Sequence, residues 1–264
     1  MSFYNKTTAA LVASAAFFCT ALTAQADGSG LIRLTDRDDL FGWEAVGRIE
    51  IGDDAYCTGV LIAPDLVLTA AHCVYGPGGS QVSAAEVKFR AGLRDGVAIA
   101  EREVSNVAAH QSYNPALGFS AETIRFDAAL LKLSQPISSS EAAPFALRRE
   151  VNKGQRVSVV SYGRGRDNAL SWQRDCGLLG RGKGLMAFDC NITFGSSGAP
   201  VFVREGGRAR ILSLISGGNV GGGSPRAYGM DLAPLVDRLK RDLRAQPKAP
   251  LKQAKSQRIG VPRD

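Results

Sequence analysis

Three residues of the chain, His72, Asp127 and Ser197, have types and surroundings suited to nucleophilic catalysis. A serine hydroxyl is a poor nucleophile until a neighbouring imidazole takes its proton and a carboxylate orients that imidazole. His72 ends the run Leu-Thr-Ala-Ala-His, and Ser197 lies in the turn Gly-Ser-Ser-Gly-Ala-Pro. Asp127 precedes Ala-Ala-Leu-Leu, so its carboxylate is expected at the edge of a buried strand, where it needs a partner. The sequence therefore predicts a Ser–His–Asp site in the chain order His, Asp, Ser.

Two of these roles have an alternative candidate nearby. His110 is the only other histidine and is an alternative base, although its surroundings favour a surface turn residue. Ser196 is an alternative nucleophile because it lies in the same glycine-bearing turn as Ser197. Such a turn can direct the backbone N–H groups of Gly195 and Ser197 towards one point. We expect these two groups to form an oxyanion hole.

The elements that must position these residues follow two series of short apolar runs separated by turn residues. The runs are 46–51, 58–62, 66–70, 87–91, 97–107 and 128–133, then 156–162, 171–178, 184–189, 200–204, 211–216 and 227–231. This spacing favours antiparallel barrels or sandwiches over βαβ units. Asp231 is the expected N-cap of a final helix with one apolar face. The predicted fold is all-β, with two antiparallel six-stranded β-barrels and a C-terminal helix.

The ends of the chain differ in composition from its body. Residues 1–26 contain one charge, a long apolar run and a final Ala-Gln-Ala, which is typical of a signal peptide. We assign 27–42 to an N-terminal segment that is a candidate propeptide. The first barrel is expected at 43–140 and the second at 153–231, with a linker at 141–152 between them. The helix follows at 232–245, and 246–264 is expected to be a basic disordered tail. A secreted or periplasmic protein is expected.

The net charge of +7 is concentrated near the C-terminus. From Arg238 onward there are nine basic and two acidic residues, whereas residues 27–237 carry 22 basic and 23 acidic ones. An almost neutral body argues against nucleic acid as a partner. The tail is a candidate for weak contact with an anionic surface, although a solvated tail is the favoured interpretation. A monomer is expected.

Four cysteines remain once the predicted signal peptide is removed, which suggests two disulfides with three possible pairings. Cys57 and Cys73 bracket a predicted hairpin, and Cys176 and Cys190 flank a second one around residues 180–182. We therefore favour the pairs Cys57–Cys73 and Cys176–Cys190. The spacing of cysteine and histidine matches no zinc motif, so neither a metal nor another cofactor is expected.

The motifs together resemble those of the trypsin/chymotrypsin-like serine proteases, especially the bacterial branch that includes the V8-like glutamyl endopeptidases. Residues 68–73, 126–133 and 195–200 carry the resemblance, which covers roughly 43–236. It implies a chymotrypsin-like fold with the active site between the barrels. It also implies a secreted serine endopeptidase that cleaves polypeptides through an acyl-enzyme.

The resemblance also implies the walls of a substrate pocket. By register with the family, Asn191, Ile192 and Thr193 form part of the pocket wall. Ser216, Gly217 and Gly218 are candidates for an edge that pairs with an extended substrate backbone, with a flexible glycine-rich loop as the alternative. Ile215 stands where glutamyl-specific relatives carry a histidine, so glutamate specificity is not supported. Arg226 falls near the pocket and could favour an acidic side chain, although an arginine pointing into solvent is the favoured interpretation.

One further departure from the family pattern lies beside the nucleophile. Trypsin-like zymogens carry an aspartate there, which pairs with a freshly cut N-terminus, and this chain has Ser196. The usual activation switch is therefore not expected. A catalytically silent binding protein on the same scaffold is the main alternative, but such proteins usually lose a triad residue and this chain keeps all three.

Overall fold

The computed structural model describes residues 30–53, 55–150, 152, 154–205, 207–219 and 226–246. The predicted signal peptide at 1–26 and all but the first residue of the predicted tail lie outside the described residues. Within the described part, no helix has both the length and the apolar character needed to cross a membrane.

The first half of the chain closes into a barrel. After a short strand β1 (Leu31–Arg33), the barrel strands are β2 (Val46–Ile51), β3 (Ala55–Ala63), β4 (Leu66–Thr69), β5 (Val87–Ala91), β6 (Ala100–Ala109) and β7 (Ala129–Leu133). They follow the order β2-β3-β4-β7-β6-β5, and each pair is antiparallel. Alternate residues point inward, so Val46, Val60 and Phe89 are fully buried in one core.

The second half forms a larger sheet. Its strands are β8 (Arg156–Ser161), β9 (Ser171–Gly182), β10 (Leu185–Phe188), β11 (Pro200–Glu205), β12 (Arg208–Leu214), β13 (Gly217–Asn219) and β14 (Arg226–Met230). The order is β12-β11-β8-β9-β10-β14-β13, and β1 pairs with β9. The Ser213 hydroxyl of β12 donates to the Met230 carbonyl of β14 at 2.8 Å. The sheet therefore curls back on itself.

The all-β prediction is confirmed, and each of the twelve predicted runs overlaps a strand. The structure adds β1 and β13 to the six strands expected in the second half. β13 is Gly-Gly-Asn, which shows no alternation of apolar and polar residues. β1 lies in the segment that the sequence marked as a candidate propeptide. Both strands are three residues long, too short to give a periodic signal.

The described part of the N-terminal segment is packed into the body. Leu34 and Leu40 are buried, and the Leu34 N–H donates to the Leu170 carbonyl at 2.9 Å. Arg33 forms an ion pair with Asp95 at 2.8 Å. A cleavage within residues 31–40 would therefore remove both a sheet strand and buried apolar surface.

Two α-helices are described, the single turn α1 (Ala121–Ile124) and the C-terminal α2 (Leu232–Ala245). The predicted apolar face of α2 lies against β6 and β7, and its buried residues are Leu232, Ala233, Leu235, Val236 and Leu239. Asp231 occupies the N-cap position but makes no capping hydrogen bond, because its carboxylate accepts one from Arg181 Nε at 2.8 Å. Gln246 also contacts the barrel, since its side-chain N–H donates to the Val107 carbonyl at 2.9 Å.

We expect Leu239→Ala to lower the free energy of unfolding by about 2–5 kcal/mol, because it leaves a cavity between α2 and the first barrel. Leu239 is fully buried in that core. The measurement is equilibrium unfolding in denaturant. Arg241→Ala, on the exposed face of the same helix, is the control and should change stability by less than about 0.5 kcal/mol. Equal losses in both variants would contradict this packing.

Candidate active site

A cleft of about 1060 Å³ contains the predicted His72 and Ser197. Its described lining includes residues 192–195 on one side and 215–218 on the other. The aromatic residues Tyr56 and Phe119 come from the first half of the chain and line it as well. Both halves of the molecule therefore contribute to the cleft.

His72 is held on a short 3₁₀ turn, Ala71–Val74, directly after β4. The flanking residues Ala71, Cys73 and Val74 are buried, which fixes the backbone from which the imidazole projects. A Cys57–Cys73 disulfide ties this turn to β3, and Cys176–Cys190 links β9 to the segment after β10. Both favoured pairings are present. Because their sulfurs are joined, neither pair offers a thiolate to a metal.

Asp127 is 2% exposed and lies between α1 and β7. Its carboxylate accepts hydrogen bonds from the backbone N–H of His72 at 2.8 Å and from His72 Nδ1 at 2.7 Å. A third bond comes from the Ser216 hydroxyl, in the second half of the chain. These donors satisfy a buried charge and fix both the position and the tautomer of the imidazole.

The environment of His72 determines its proton affinity. Burial of the imidazole by itself lowers the pKa, but the Asp127 carboxylate, through its charge and its hydrogen bond, raises the pKa above the usual 6.5. About a third of the side chain, 34%, stays exposed towards the cleft. His110 instead stacks on the Phe126 ring, and its burial lowers its pKa. Of the two histidines, only His72 bonds to Asp127 in the described structure.

The turn that carries Ser197 depends on two glycines in the left-handed region. Gly195 has φ +91° and Gly198 has φ +74°, values that disfavour any side chain. A Cβ on Gly195 would also lie 2.3 Å from the Tyr56 ring. Within the described residues, the backbone N–H groups of Gly195 and Ser197 make no hydrogen bond. They are therefore available to an oxyanion.

Thr58 on β3 fastens this turn to the first barrel. Its Oγ1 donates to the Gly195 carbonyl at 2.8 Å and accepts the Tyr162 N–H at 3.1 Å. Its own N–H donates to the Ser197 carbonyl at 2.9 Å. Thr58 is fully buried, so water cannot replace these bonds. Thr58 thus ties the turn that carries Ser197 to the barrel that carries His72.

Ser196 points away from the cleft and is fully buried. Its hydroxyl donates to the Tyr162 carbonyl at 3.2 Å and accepts from Arg166 Nη2 at 3.1 Å. Arg166 also donates to the Ser161 carbonyl at 2.9 Å. Within the described chain, no carboxylate pairs with this guanidinium, and burial lowers its pKa. Ser197 lines the cleft and Ser196 does not, a difference that favours Ser197 as the nucleophile.

Most of the predicted substrate-binding residues line the cleft, namely Ile192 and Thr193 of the pocket wall and Ser216, Gly217 and Gly218 of the edge. Asn191 lies outside its described lining, and its N–H donates to Gln173 Oε1 at 2.7 Å. Arg226 is exposed at the start of β14. No sequence motif indicated Thr58, Arg166 or Phe119. Each occupies an ordinary strand or loop position and acts through contacts with residues distant in sequence.

Comparisons with known proteins agree with this architecture. The family described as trypsin-like peptidase domain matches residues 57–209. Human serine protease 56 is 32% identical over 125 residues, which span 46% of this chain and 19% of that protein. A Glu endopeptidase structure superposes with a TM-score of 0.67 at 18% identity, covering 83% of this chain and 98% of that one. Protease Anisep from Arthrobacter nicotinovorans gives 0.62 at 17%, covering 77% and 96%. At these identities the two structures show a shared fold.

We expect Thr58→Val to lower the free energy of unfolding by about 1–3 kcal/mol, because it leaves the Gly195 carbonyl and the Tyr162 N–H unpaired in the interior. It should also slow the reaction of Ser197 with a serine-directed phosphonate. Thr58→Ser keeps the hydroxyl and is the matched control. The measurements are denaturant unfolding and labelling rate. A Thr58→Val protein with an unchanged labelling rate would show that this bond does not position the turn.

Proposed function

Because the chain belongs to the trypsin-like peptidase domain family, we propose that it is a serine endopeptidase whose catalytic residues are Ser197, His72 and Asp127. The observation that carries the proposal is the buried Asp127 carboxylate bonded to His72 Nδ1, beside a cleft that Ser197 also lines. A carboxylate that orients an imidazole next to a serine is the arrangement that activates a hydroxyl nucleophile.

The geometry supports a definite assignment of protons. A carboxylate only accepts hydrogen bonds, so His72 carries its proton on Nδ1 and leaves Nε2 free to act as a base. His72 removes the Ser197 proton as the hydroxyl oxygen attacks the carbonyl carbon of a peptide bond. It then gives that proton to the leaving amine, and water hydrolyses the acyl-enzyme by the same route.

Charge that develops on the attacked carbonyl oxygen is stabilised by the N–H groups of Gly195 and Ser197. Each such donor is typically worth about 2.7–4 kcal/mol of transition-state stabilisation. The Gly195–Ser196 peptide is held at both ends, by Thr58 Oγ1 at its carbonyl and by the Thr193 carbonyl at its N–H. This peptide lies between the two donors, so holding it limits the movement of the Gly195 and Ser197 N–H groups during the reaction.

The expected substrate is an extended polypeptide. β13 is the edge strand of the second sheet, so its outer backbone groups can pair with an added strand. Ser216 and Gly217 line the cleft at this edge. Pairing would present one peptide bond of the substrate to Ser197.

The proposal includes an exported, monomeric protein. Two disulfides suit an oxidising compartment, which supports a secreted or periplasmic location. The signal peptide at 1–26, removal of a propeptide and weak contact of the tail with an anionic surface are parts of the proposal that rest on sequence.

Covalent labelling by a fluorophosphonate probe tests the nucleophile. We expect the purified protein to be labelled and Ser197→Ala to be unlabelled, because Ser197 lines the same cleft as the proposed base His72. Ser196→Ala is the matched control and should still be labelled, since its hydroxyl points into the interior. Intact-protein mass spectrometry measures the result. A folded wild-type protein that neither reacts nor cleaves peptides would instead be the silent binding protein.

The pH dependence of kcat/KM tests the base. His72 must be neutral to accept a proton, so the rate rises with pH through its raised pKa, and the midpoint should lie above 6.5. Asp127→Asn removes both influences that raise this pKa and leaves burial, which lowers it. We expect the midpoint to move to lower pH and kcat to fall by about 10⁴-fold through loss of the correct tautomer. An unmoved midpoint in Asp127→Asn would rule out His72 as the titrating base.

A further inference from the structure

Two walls of the cleft touch each other beside the nucleophile. A Cβ built on Gly218 would lie 2.9 Å from Ile192 Cδ1, so the isoleucine side chain already rests against the Gly218 backbone. Ile192 belongs to the segment that leads into the nucleophile turn, and Gly218 belongs to the edge strand β13. The space between these segments is therefore partly filled by the protein's own side chain.

The cleft also borders a second apolar core, which contains Val201, Leu212 and Ile215 and against which Ile192 packs. Ile215 is fully buried and lines the cleft. Ala227, which faces Gly218 across β13 and β14, is fully buried and lies outside the described lining, as does Asn191. On this side the described lining of the cleft is therefore aliphatic, formed by Ile192 and Ile215.

The acidic and basic side chains that line the cleft, Glu86, Arg164 and Asp167, belong to segments other than these two walls. Within the lining at 192–195 and 215–218, no described residue carries a charged side chain. Arg164 also lines the cleft, but its guanidinium lies over the Phe194 ring, 4.2 Å from the centroid. A charged substrate side chain between Ile192 and Gly218 would find no charged partner in these two walls, which disfavours its burial there.

We propose that this pocket selects a small aliphatic side chain, such as that of alanine or valine, on the substrate residue whose carbonyl Ser197 attacks. The inference rests on the proposed function. A substrate strand paired with β13 directs the side chain next to the attacked carbonyl between the two walls that flank Ser197. Ile192 limits its size, and Ile192 with Ile215 sets its polarity. Peptides cut after alanine or valine are thus the expected substrate class.

The test compares kcat/KM of the full mature chain on peptides that differ only at this residue: alanine, valine, leucine, phenylalanine, glutamate and arginine. One methylene group that does not fit typically costs about 10–200-fold. We expect alanine and valine to exceed phenylalanine, glutamate and arginine by at least about tenfold. Ile192→Ala should raise leucine and phenylalanine relative to alanine by a similar factor, because it opens the space against Gly218.

Leu178→Ala is the matched control, because Leu178 packs on the same core as Ile192 and lies outside the described lining of the cleft. It should leave the order of substrates unchanged. If Ile192→Ala does not fold, Ile192→Val removes one methyl group and should shift the order in the same direction by less. The absence of any shift in a folded Ile192 variant would overturn the role of Ile192.

Labelling of Ser197 by the phosphonate separates failure of this inference from failure of the proposed function. A labelled wild-type protein that prefers glutamate, arginine or phenylalanine would overturn the specificity and leave the endopeptidase assignment standing. A protein that is neither labelled nor able to cleave any of the peptides would overturn both.

Discussion

A carboxylate buried between two half-molecules needs hydrogen bonds, and Asp127 obtains them from both sides. His72 supplies two donors from the first barrel, and the Ser216 hydroxyl supplies one from the second half of the chain. Loss of any of these donors would leave part of a buried charge unsatisfied, which is costly. The contact that orients the imidazole therefore also holds the halves together, and the cleft depends on it.

Contacts with the first barrel also position the turn that carries Ser197. Thr58 of β3 donates hydrogen bonds to the Gly195 and Ser197 carbonyls, which fix the position of the turn relative to the first barrel. Position 195 must be glycine, because its φ is positive and because the Tyr56 ring leaves no room for a side chain. Backbone conformation, packing and the free N–H groups are thus set by one small group of contacts.

The sequence predicted the elements that have a periodic apolar pattern and the residues that lie in a recognisable motif. The short apolar runs predicted twelve of the strands, and the apolar stripe predicted α2. The motifs identified His72, Asp127 and Ser197 as candidate site residues. It did not predict β1 or β13, because three residues give no period. Nor could it predict that Asp231 would pair with Arg181 instead of capping its helix. Which partner such a side chain bonds depends on residues that are distant in sequence, and a local sequence pattern does not show which of these lie nearby in the fold.

Arg166 places a side-chain cation against the turn that carries Ser197. Its guanidinium and the Ser196 hydroxyl it bonds are only 30 positions apart, and both lie in the second half of the chain. An α-amino group can serve as such a cation only when a peptide bond has been cut at the right place. A side-chain cation is present as soon as the surrounding strands have formed. The support behind Ser197 is therefore acquired at folding and does not require a newly cut N-terminus.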